Sequence, residues 1–300
     1  MEGFGKELAR LKEREDAVVL AHYYVDEAVQ AEADFVGDSY YLAKAAAGTG
    51  KSTIVFCGVR FMGESAKILN PARRVLLPDP SADCAMAHMA DPAQVEAARA
   101  QTDDLAVVCY INSTAQLKAV SDVCVTSSNA VKIVAALPQR NILFIPDDNL
   151  GSFVQKQLPE KRFHFLGGHC PVHTAVRAED VAAQKRARPR AAVLTHPECR
   201  PDIRALSDFV GSTAEIIARA EAGAEEEYIV CTEPGVLYEL RRRCPGRRFY
   251  PAAPVCGDMK RVTPERVLAC LREGRGEVTL SDELAAAARR PLERMLELAK

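Results

Sequence analysis

The chain has 300 residues, of which 48% are hydrophobic, and its 39 Lys and Arg residues nearly balance 41 Asp and Glu residues. This composition supports two or three hydrophobic cores without disulfide bonds. The charge balance argues against nucleic acid or an anionic membrane as a partner. The charged, helix-like start has no signal-peptide core, and no apolar run is long enough to span a membrane. We therefore expect a soluble cytoplasmic protein.

Three apolar segments, each followed by polar residues, are typical of buried parallel strands. They are VVLAHYYVD at 18–26, LAVVCYIN at 105–112 and AAVLTHPE at 191–198. Alignment of these segments places one set of residues 86 positions apart, namely Tyr24, Tyr110 and His196. It places Asp26, Asn112 and Glu198 in a second set. The polar ends of these strands are candidate site residues.

A second element of similar pattern follows each segment. Five residues after a shared Asp, at Asp34, Asp122 and Asp208, each copy has a hydroxyl residue before a helix-like run. These hydroxyl residues are Ser39, Ser127 and Thr213. With the free backbone N–H groups of a helix start they can hold a carboxylate or a phosphate, although such residues also serve as plain N-caps. Ser212, beside Thr213, is included in the predicted substrate-binding set.

The ten cysteines contain no CxxC pair and are widely spread, which argues against a secreted disulfide scaffold. Three of them, Cys84, Cys170 and Cys256, are also 86 residues apart. We therefore predict a triplicated unit of about 86 residues in which strand, helix, strand, helix and strand alternate. The other seven cysteines have no partner in the repeat, and we expect them in hydrophobic cores.

This alternation predicts an α/β fold with parallel sheets covered by helices on both faces. We predict three similar βαβαβ three-layer domains arranged about a pseudo-threefold axis. Ligands bind such sheets beyond the carboxyl ends of the strands, so the cysteine loops and the polar strand ends should meet. The predicted divisions are an N-terminal helix at 1–16, repeat domains at 17–103, 104–189 and 190–262, and C-terminal helices at 263–300 that pack on the body.

Three thiolates at one point suit either a zinc ion with one open position or a 4Fe-4S cluster with one iron that no residue binds. Cys170 and His173 form a CxxH pair, which favours zinc unless the histidine only lines the same pocket. The clustered cysteine spacing of ferredoxins is absent. The equivalent positions of Cys84, Cys170 and Cys256 favour a 4Fe-4S cluster, which has four iron atoms at the corners of a cube. Three equivalent cysteines would bind three of these irons and leave the fourth for substrate.

Several long segments resemble the quinolinate synthase family of bacterial NAD biosynthesis, and the resemblance covers nearly the whole chain. They are AHYYVDEAVQAEADFVGDSYYLAK, CYINSTAQLKAVSDVCVTSSNA, LTHPEC and CTEPGVLYEL. The resemblance implies a pseudo-threefold three-domain α/β fold and a 4Fe-4S cluster on Cys84, Cys170 and Cys256. It also implies a transferase that condenses iminoaspartate (iminosuccinate) with dihydroxyacetone phosphate to quinolinate, with loss of phosphate and water.

The resemblance also implies roles for individual residues. Iminoaspartate is expected to contact His22, Tyr110, Asn112, His196 and Glu198. Glu198 is the predicted general base, because a carboxylate in a water-poor pocket can have its pKa raised toward neutrality. Tyr24 is predicted to transfer a proton on the triose intermediate, and His196 and Tyr110 are also predicted to be catalytic. We expect His173 to contact substrate rather than iron.

The open iron is predicted to assist loss of water as a Lewis acid. Two other function classes remain open from the residues alone: a zinc-dependent hydrolase that uses Cys170 and His173, and a non-enzymatic iron-sulfur sensor. A C-terminal CxxC found in some family members is absent, so we expect no thiol regulation of that kind. The expected partners are the two small substrates, with transient contact to the enzyme that supplies iminoaspartate.

Overall fold

The computed structural model of the chain describes residues 2–300. Over this range the strands form three separate four-stranded sheets, and every strand pair within them is parallel. Each sheet is built from one continuous part of the chain. The molecule is therefore made of three consecutive units, with helices before, between and after them.

The first unit follows helix α1 (Glu2–Arg14). Its elements are β1 (Ala17–His22), α2 (Glu27–Glu32), β2 (Phe35–Gly37), α3 (Ser39–Gly48), β3 (Thr53–Cys57), α4 (Arg60–Leu69) and β4 (Arg74–Leu76). A 3₁₀ turn (Ala85–His88) and α5 (Pro92–Gln101) lead to the second unit.

The second unit repeats this order. Its elements are β5 (Leu105–Tyr110), α6 (Ala115–Ala119), β6 (Val123–Val125), α7 (Ala130–Ala136), β7 (Asn141–Ile145), α8 (Asp148–Gln157) and β8 (Arg162–His164). Helices α9 (Pro171–Thr174) and α10 (Ala178–Ala187) lead to the third unit.

The third unit has the same plan. Its elements are β9 (Ala192–Thr195), α11 (Pro201–Arg204), β10 (Phe209–Val210), α12 (Thr213–Ala222), β11 (Glu227–Cys231), a 3₁₀ turn (Pro234–Val236), α13 (Leu237–Arg243) and β12 (Arg248–Pro251). A further 3₁₀ turn (Met259–Arg261), α14 (Pro264–Glu273) and α15 (Asp282–Leu298) complete the chain.

All three sheets share one strand order: β2-β1-β3-β4, β6-β5-β7-β8 and β10-β9-β11-β12. The structure confirms the predicted α/β fold of three similar parallel-sheet units. It also adds to each unit a short edge strand that the βαβαβ prediction omitted. These edge strands are only two or three residues long, which is too short to leave a periodic signal in the sequence.

An aspartate locks the same two strands together in every unit. Its carboxylate accepts the N–H group of a valine in the first strand of the unit, and its own N–H donates back to the carbonyl of that valine. The pairs are Asp34 with Val19, Asp122 with Val107 and Asp208 with Val193, at 2.7 to 3.0 Å. These equivalent bonds define the structural alignment of the units.

This alignment corrects the predicted columns for the first unit by two residues. The residue three positions after the paired valine is His22, Tyr110 or His196, so His22 rather than Tyr24 is equivalent to Tyr110. Tyr24 is instead equivalent to Asn112 and Glu198. Asp26, which the sequence alignment placed with those residues, caps α2 by accepting the N–H group of Ala28.

The equal spacing of the three cysteines has a partly accidental origin. The aspartates Asp34 and Asp122 are 88 residues apart, whereas Cys84 and Cys170 are 86 apart. The difference arises because the loop that follows β4 is two residues longer than the loops that follow β8 and β12. The repeat is therefore real, but its strict period of 86 residues is not.

Each sheet buries both of its faces, as strands of a three-layer unit must. In β11, Tyr228 and Val230 belong to one hydrophobic cluster, and Ile229 and Cys231 belong to the cluster on the opposite face. The first and second units share one continuous core with the C-terminal helices. No helix within residues 2–300 has the length and apolar character needed to cross a membrane.

Helix α15 packs on the second unit and on α4 of the first. Its buried side chains lie on one face of the helix, at positions related by three or four residues: Ala288, Pro291, Leu292 and Met295. The last helix is thus part of the main core rather than an appendage.

We predict that Leu292→Ala lowers the free energy of unfolding by about 2 to 5 kcal/mol, because it removes a fully buried side chain from a packed core. Leu296 in the same helix is only partly buried and provides the matched control, for which we expect less than about half of this loss. Urea unfolding followed by circular dichroism measures both. Equal effects of the two substitutions would contradict the packing of α15.

Candidate active site

A cavity of about 250 Å³ lies where the loops that follow the strands of all three sheets come together. Its walls include residues that directly follow the first strand of each unit, the starts of the helices after the second strands, and the three cysteine loops. Parallel strands direct their carboxyl ends to one edge of a sheet, and that edge is where α/β proteins bind ligands. The cavity is large enough for a small metabolite.

Thirteen of the fourteen predicted site residues line this cavity. They are His22, Tyr24, Ser39, Cys84, Tyr110, Asn112, Ser127, Cys170, His173, His196, Glu198, Thr213 and Cys256. Ser212 does not line it, because its hydroxyl caps α12 by accepting the N–H group of Glu215. The Glu215 carboxylate in turn accepts the Ser212 N–H group at 2.7 Å. Both polar groups of Ser212 are therefore used within its own helix.

The three predicted hydroxyl residues are not the N-caps of their helices. Asp38 caps α3 and Ser212 caps α12, so Ser39 and Thr213 are the first helical residues. The Thr213 hydroxyl lies 2.7 Å from the Tyr24 hydroxyl, and the Ser127 hydroxyl lies 3.3 Å from Nε2 of His196. These hydroxyls therefore face the cavity and its polar groups rather than helix ends.

Two histidines at equivalent positions make the same local hydrogen bond. Nδ1 of His22 accepts the N–H group of Tyr24, and Nδ1 of His196 accepts the N–H group of Glu198. These bonds fix each ring and leave Nε2 as the nitrogen that carries the proton in the neutral form. Burial lowers the pKa of both histidines to about 3, so both are neutral at physiological pH.

Glu198 is almost completely buried at the centre of the site. Its Oε2 lies 2.6 Å from Nδ1 of His173 and 3.6 Å from Nδ1 of His196. Burial would raise the pKa of Glu198, but electrostatic interactions with the His173 and His196 side chains, together with hydrogen bonding, outweigh burial and hold this pKa below its ordinary value. The prediction of a pKa raised toward neutrality is wrong, because the stabilising partners come from another unit.

Two oxygens that face this region have no hydrogen-bond partner among the described residues: Oε1 of Glu198 and Oδ1 of Asn112. A buried acceptor without a donor costs about 1 to 3 kcal/mol. Both residues line the cavity, so a ligand that presents N–H or O–H groups would satisfy both oxygens. The site is therefore prepared for a ligand with hydrogen-bond donors.

Three of the ten cysteines differ from the rest in their position. Cys84, Cys170 and Cys256 are partly exposed and line the cavity, whereas the other seven are buried and line no part of it. This separation agrees with the prediction made from the repeat. Burial raises the pKa of each of the three thiols, that of Cys84 to about 12, so a bound cation is needed to displace their protons.

Each cysteine N–H group donates to a carboxylate. The bonds run from Cys84 to Asp83 (2.7 Å), from Cys170 to Asp147 (3.2 Å) and from Cys256 to Glu233 (3.2 Å). Asp147 and Glu233 are fully buried, and each also caps the helical turn that follows the third strand of its unit. No repeat or motif in the sequence predicted these two residues, although each lies two positions after that strand.

The one group of metal-ligand atoms that lie close together among the described residues is not spaced as in a zinc site. Cys170, His173 and Glu198 do place ligand atoms within 4.8 Å of one another. However, tetrahedral zinc with bonds of about 2.0 to 2.1 Å separates its N and O ligands by about 3.3 Å. The 2.6 Å between Nδ1 of His173 and Oε2 of Glu198 is instead a hydrogen-bond distance.

The cavity walls carry no lysine or arginine in the described part of the chain. Lys260 directly follows the lining residue Met259, and its Nζ donates to the Tyr24 carbonyl at 2.6 Å and lies 3.3 Å from Glu233. Lys260 therefore joins the loop after β1 to the third unit and is not free to bind an anion. Any anionic ligand must rely on hydroxyls, backbone N–H groups or a bound cation.

Three repeated parallel sheets around one cavity, lined by titratable side chains and by three cysteines, are typical of an α/β enzyme. The family model for quinolinate synthetase A protein matches residues 6–297. The quinolinate synthase of Caldicellulosiruptor saccharolyticus is 46% identical over 300 residues, which cover 99% of each chain. Those of Clostridioides difficile and Aquifex aeolicus are each 44% identical, over 98% of this chain and 97% and 93% of theirs. The chain belongs to the quinolinate synthetase A family of enzymes.

We predict that stability falls as the pH drops from 6.5 to 5. The pKa of His196 is about 3 in the folded protein and takes its ordinary value of about 6.5 in the unfolded chain, so the unfolded state binds more protons between these values. Each such histidine contributes a slope of up to about 1.4 kcal/mol per pH unit. Glu198, whose pKa is depressed, acts only below its ordinary value of 4.5.

Urea unfolding at several pH values measures this slope. We expect His196→Gln to flatten the slope between pH 6.5 and 5, and we expect His164→Gln, at an exposed surface site, to leave it unchanged. An unchanged slope in His196→Gln would contradict the neutral state of the buried histidine.

Proposed function

We propose that the enzyme condenses iminoaspartate with dihydroxyacetone phosphate to form quinolinate in NAD biosynthesis, and that Cys84, Cys170 and Cys256 hold a 4Fe-4S cluster. The observation that carries this proposal is that, of the ten cysteines, these three line the cavity and the other seven do not. Glu198 and Asn112, with their unpartnered oxygens, line the same cavity. The family membership and the quinolinate synthase names of the relatives support it. The atoms balance with release of one phosphate and two waters, so no oxidant is required.

When bound, the cluster would supply an iron that acts as a Lewis acid in the dehydration. The three cysteine loops come from the three units, so a cluster would draw one ligand from each. The backbone N–H groups of Cys170 and Cys256 donate to the buried carboxylates of Asp147 and Glu233, respectively. These carboxylates therefore help to orient the two cysteine loops.

The polar strand ends suit iminoaspartate. The amide of Asn112 can donate to a substrate carboxylate and can accept the imine N–H group at its unpartnered Oδ1. Ser127 and His196, which lie 3.3 Å apart, can donate to the second carboxylate. Ser39 and Thr213 begin helices in which the cap side chain, Asp38 or Ser212, accepts one first-turn N–H group. First-turn N–H groups that no cap takes can hold carboxylate or phosphate oxygens.

Glu198 and Tyr24 are the groups placed to move protons. Glu198 is ionised, and its free Oε1 can take a proton from a carbon of the bound intermediate. Burial raises the pKa of Tyr24 well above its ordinary value, so its phenol is protonated and can donate to a leaving oxygen of the triose moiety. The Tyr110 phenol lies close enough to Glu198 to help lower the pKa of its carboxyl group.

The proposal extends to the setting of the reaction. We propose that the enzyme works in the cytoplasm on these small molecules, in transient contact with the enzyme that supplies iminoaspartate, because a free imine hydrolyses in water.

A zinc-dependent hydrolase remains the competing function, since Cys170, His173 and Glu198 lie close together. Metal analysis distinguishes the two.

We predict that anaerobically purified protein contains about four iron and four sulfide per chain, little zinc, and quinolinate synthase activity in the same sample. Cys170→Ala should abolish the broad visible absorbance of the cluster and the activity. Cys270→Ala, in α14 and away from the cavity, should keep both. Zinc without sulfide, or an unaltered Cys170→Ala variant, would refute the proposal.

We predict that Asp147→Ala lowers the iron and sulfide bound after reconstitution by at least about twofold, because it removes the acceptor of the Cys170 N–H group and the cap of α8. Asp147→Asn keeps one acceptor oxygen for these groups and should bind more iron than Asp147→Ala. Visible absorbance and iron analysis measure both variants independently of activity. Full iron content in Asp147→Ala would show that the carboxylate does not orient the loop.

A further inference from the structure

The first unit departs from the pattern by which the other two cysteine loops are held. In the second and third units, a buried carboxylate two positions after the third strand accepts the N–H group of the cysteine. These carboxylates belong to Asp147 and Glu233. The strand register places Val59 at the equivalent position of the first unit, and α4, which follows it, has no side-chain cap. The loop of Cys84 is therefore not held in the same way.

The loop that leads to Cys84 carries a buried carboxylate of its own. Asp79 is only 8% exposed and lies in the loop after β4, which is two residues longer than its counterparts. Its Oδ1 accepts the N–H group and the hydroxyl of Ser81, and its carbonyl accepts the N–H group of Ala82. These bonds fold residues 79–82 into a turn, so the place of Asp79 determines where the chain enters Cys84.

Two arginines from the C-terminal part of the chain bind the other oxygen of Asp79. Nε of Arg261 donates to Oδ2 at 3.0 Å, and Nη1 of Arg266 donates to the same oxygen. Nη2 of Arg261 also donates to the Ser81 hydroxyl at 2.6 Å, and Nη1 of Arg266 donates to the Arg261 carbonyl at 2.8 Å. Burial would raise the pKa of Asp79, but hydrogen bonds from Ser81 and the two guanidinium groups outweigh burial and lower it. The carboxylate is therefore ionised at physiological pH.

These arginines belong to the segment that directly follows the third cysteine. Arg261 ends the 3₁₀ turn five residues after Cys256. Within this turn, the N–H group of Lys260 donates to the Cys256 carbonyl at 3.2 Å. The ion pairs of Asp79 therefore join the loop of Cys84 to the loop of Cys256.

The cluster of Asp79, Ser81, Arg261 and Arg266 lies outside the cavity, because none of the four side chains lines it. Both arginine side chains are more than 40% exposed. Ion pairs with exposed partners contribute little to overall stability. Loss of these ion pairs should therefore change the placement of the two loops more than the free energy of unfolding.

We propose that Asp79 is a positioning residue, whose ion pairs fix the loop of Cys84 relative to that of Cys256. The inference rests on the proposed function, in which both cysteines bind a 4Fe-4S cluster. Groups that orient metal ligands without touching the metal typically change its affinity about 10- to 100-fold. Removal of the ion pairs should therefore weaken retention of the cluster.

The test uses Asp79→Asn, which keeps the size of the side chain and an acceptor for Ser81 but removes the charge. We expect an iron chelator to remove iron from this variant about 10-fold faster than from wild type, measured by loss of the visible absorbance of the cluster. Arg266→Lys keeps a cation beside Asp79 and should resemble wild type more than Asp79→Asn does. If Asp79→Asn does not fold, the double variant Arg261→Gln/Arg266→Gln removes the same ion pairs at exposed positions.

Glu239→Gln is the matched control. Glu239 is also a buried carboxylate that pairs with two arginines, Arg242 and Arg243, but all three belong to α13 and none lines the cavity. We expect Glu239→Gln to lose iron at the wild-type rate. Equal acceleration in Glu239→Gln and Asp79→Asn would overturn the inference, since any lost ion cluster would then have the same effect.

A second measurement needs no cluster. In protein freed of iron, a short reagent with two thiol-reactive groups should link Cys84 to Cys256, because both are partly exposed and line one cavity. Asp79→Asn should lower the yield of this link relative to the link between Cys170 and Cys256, whose loops keep their own buried carboxylates. Mass spectrometry of the linked peptides measures both yields.

The outcomes separate this inference from the proposed function. Wild-type protein that binds no iron and sulfide would contradict the proposed function, and the linking experiment would still test the role of Asp79. Wild-type rates of iron loss together with unaltered linking in Asp79→Asn would overturn the positioning role alone.

Discussion

The site depends on a constraint of parallel sheets: all strands of a sheet end at the same edge, and only the residues beyond that edge are free of packing. In each unit an aspartate bonds to a valine of the first strand and fixes where that strand ends relative to its neighbour. Three units that direct such edges at one cavity bring together residues nearly two hundred positions apart, among them Tyr24 and Thr213. No unit covers its own edge, so the cavity is enclosed only where the three edges meet.

Burial of polar groups at this junction is compensated between units rather than within them. Glu198 of the third unit meets His173, and Tyr24 of the first unit meets Thr213 and Thr232 of the third. Among the residues that the structure describes, the cavity walls hold several carboxylates and no lysine or arginine. Any attraction for an anionic ligand must therefore come from local dipoles or from a bound cation, so we expect binding to depend on geometry more than on long-range charge.

The sequence was sufficient for features that repeat or that follow from composition. Apolar runs located the central strands, and the repeat singled out Cys84, Cys170 and Cys256 from ten cysteines. The sequence did not predict features that are short, that occur in one unit only, or that arise from contact between units. The short edge strands left no period, and the two extra residues in the loop after β4 made a strict period of 86 residues place Tyr24 in the wrong column. The pKa of Glu198 could not be foreseen, because His173 approaches it only in the folded chain.

The ends of the first strands have equivalent backbone positions in the three units but different side chains. The pairs are His22 with Tyr24, Tyr110 with Asn112, and His196 with Glu198. Identical ends would have produced a pocket with three interchangeable orientations for any ligand. With one phenol, one amide and one carboxylate at equivalent points, rotation of a substrate by a third of a turn no longer restores the same contacts. Divergence of the copies thus makes the pocket asymmetric and favours a single orientation for a bound ligand.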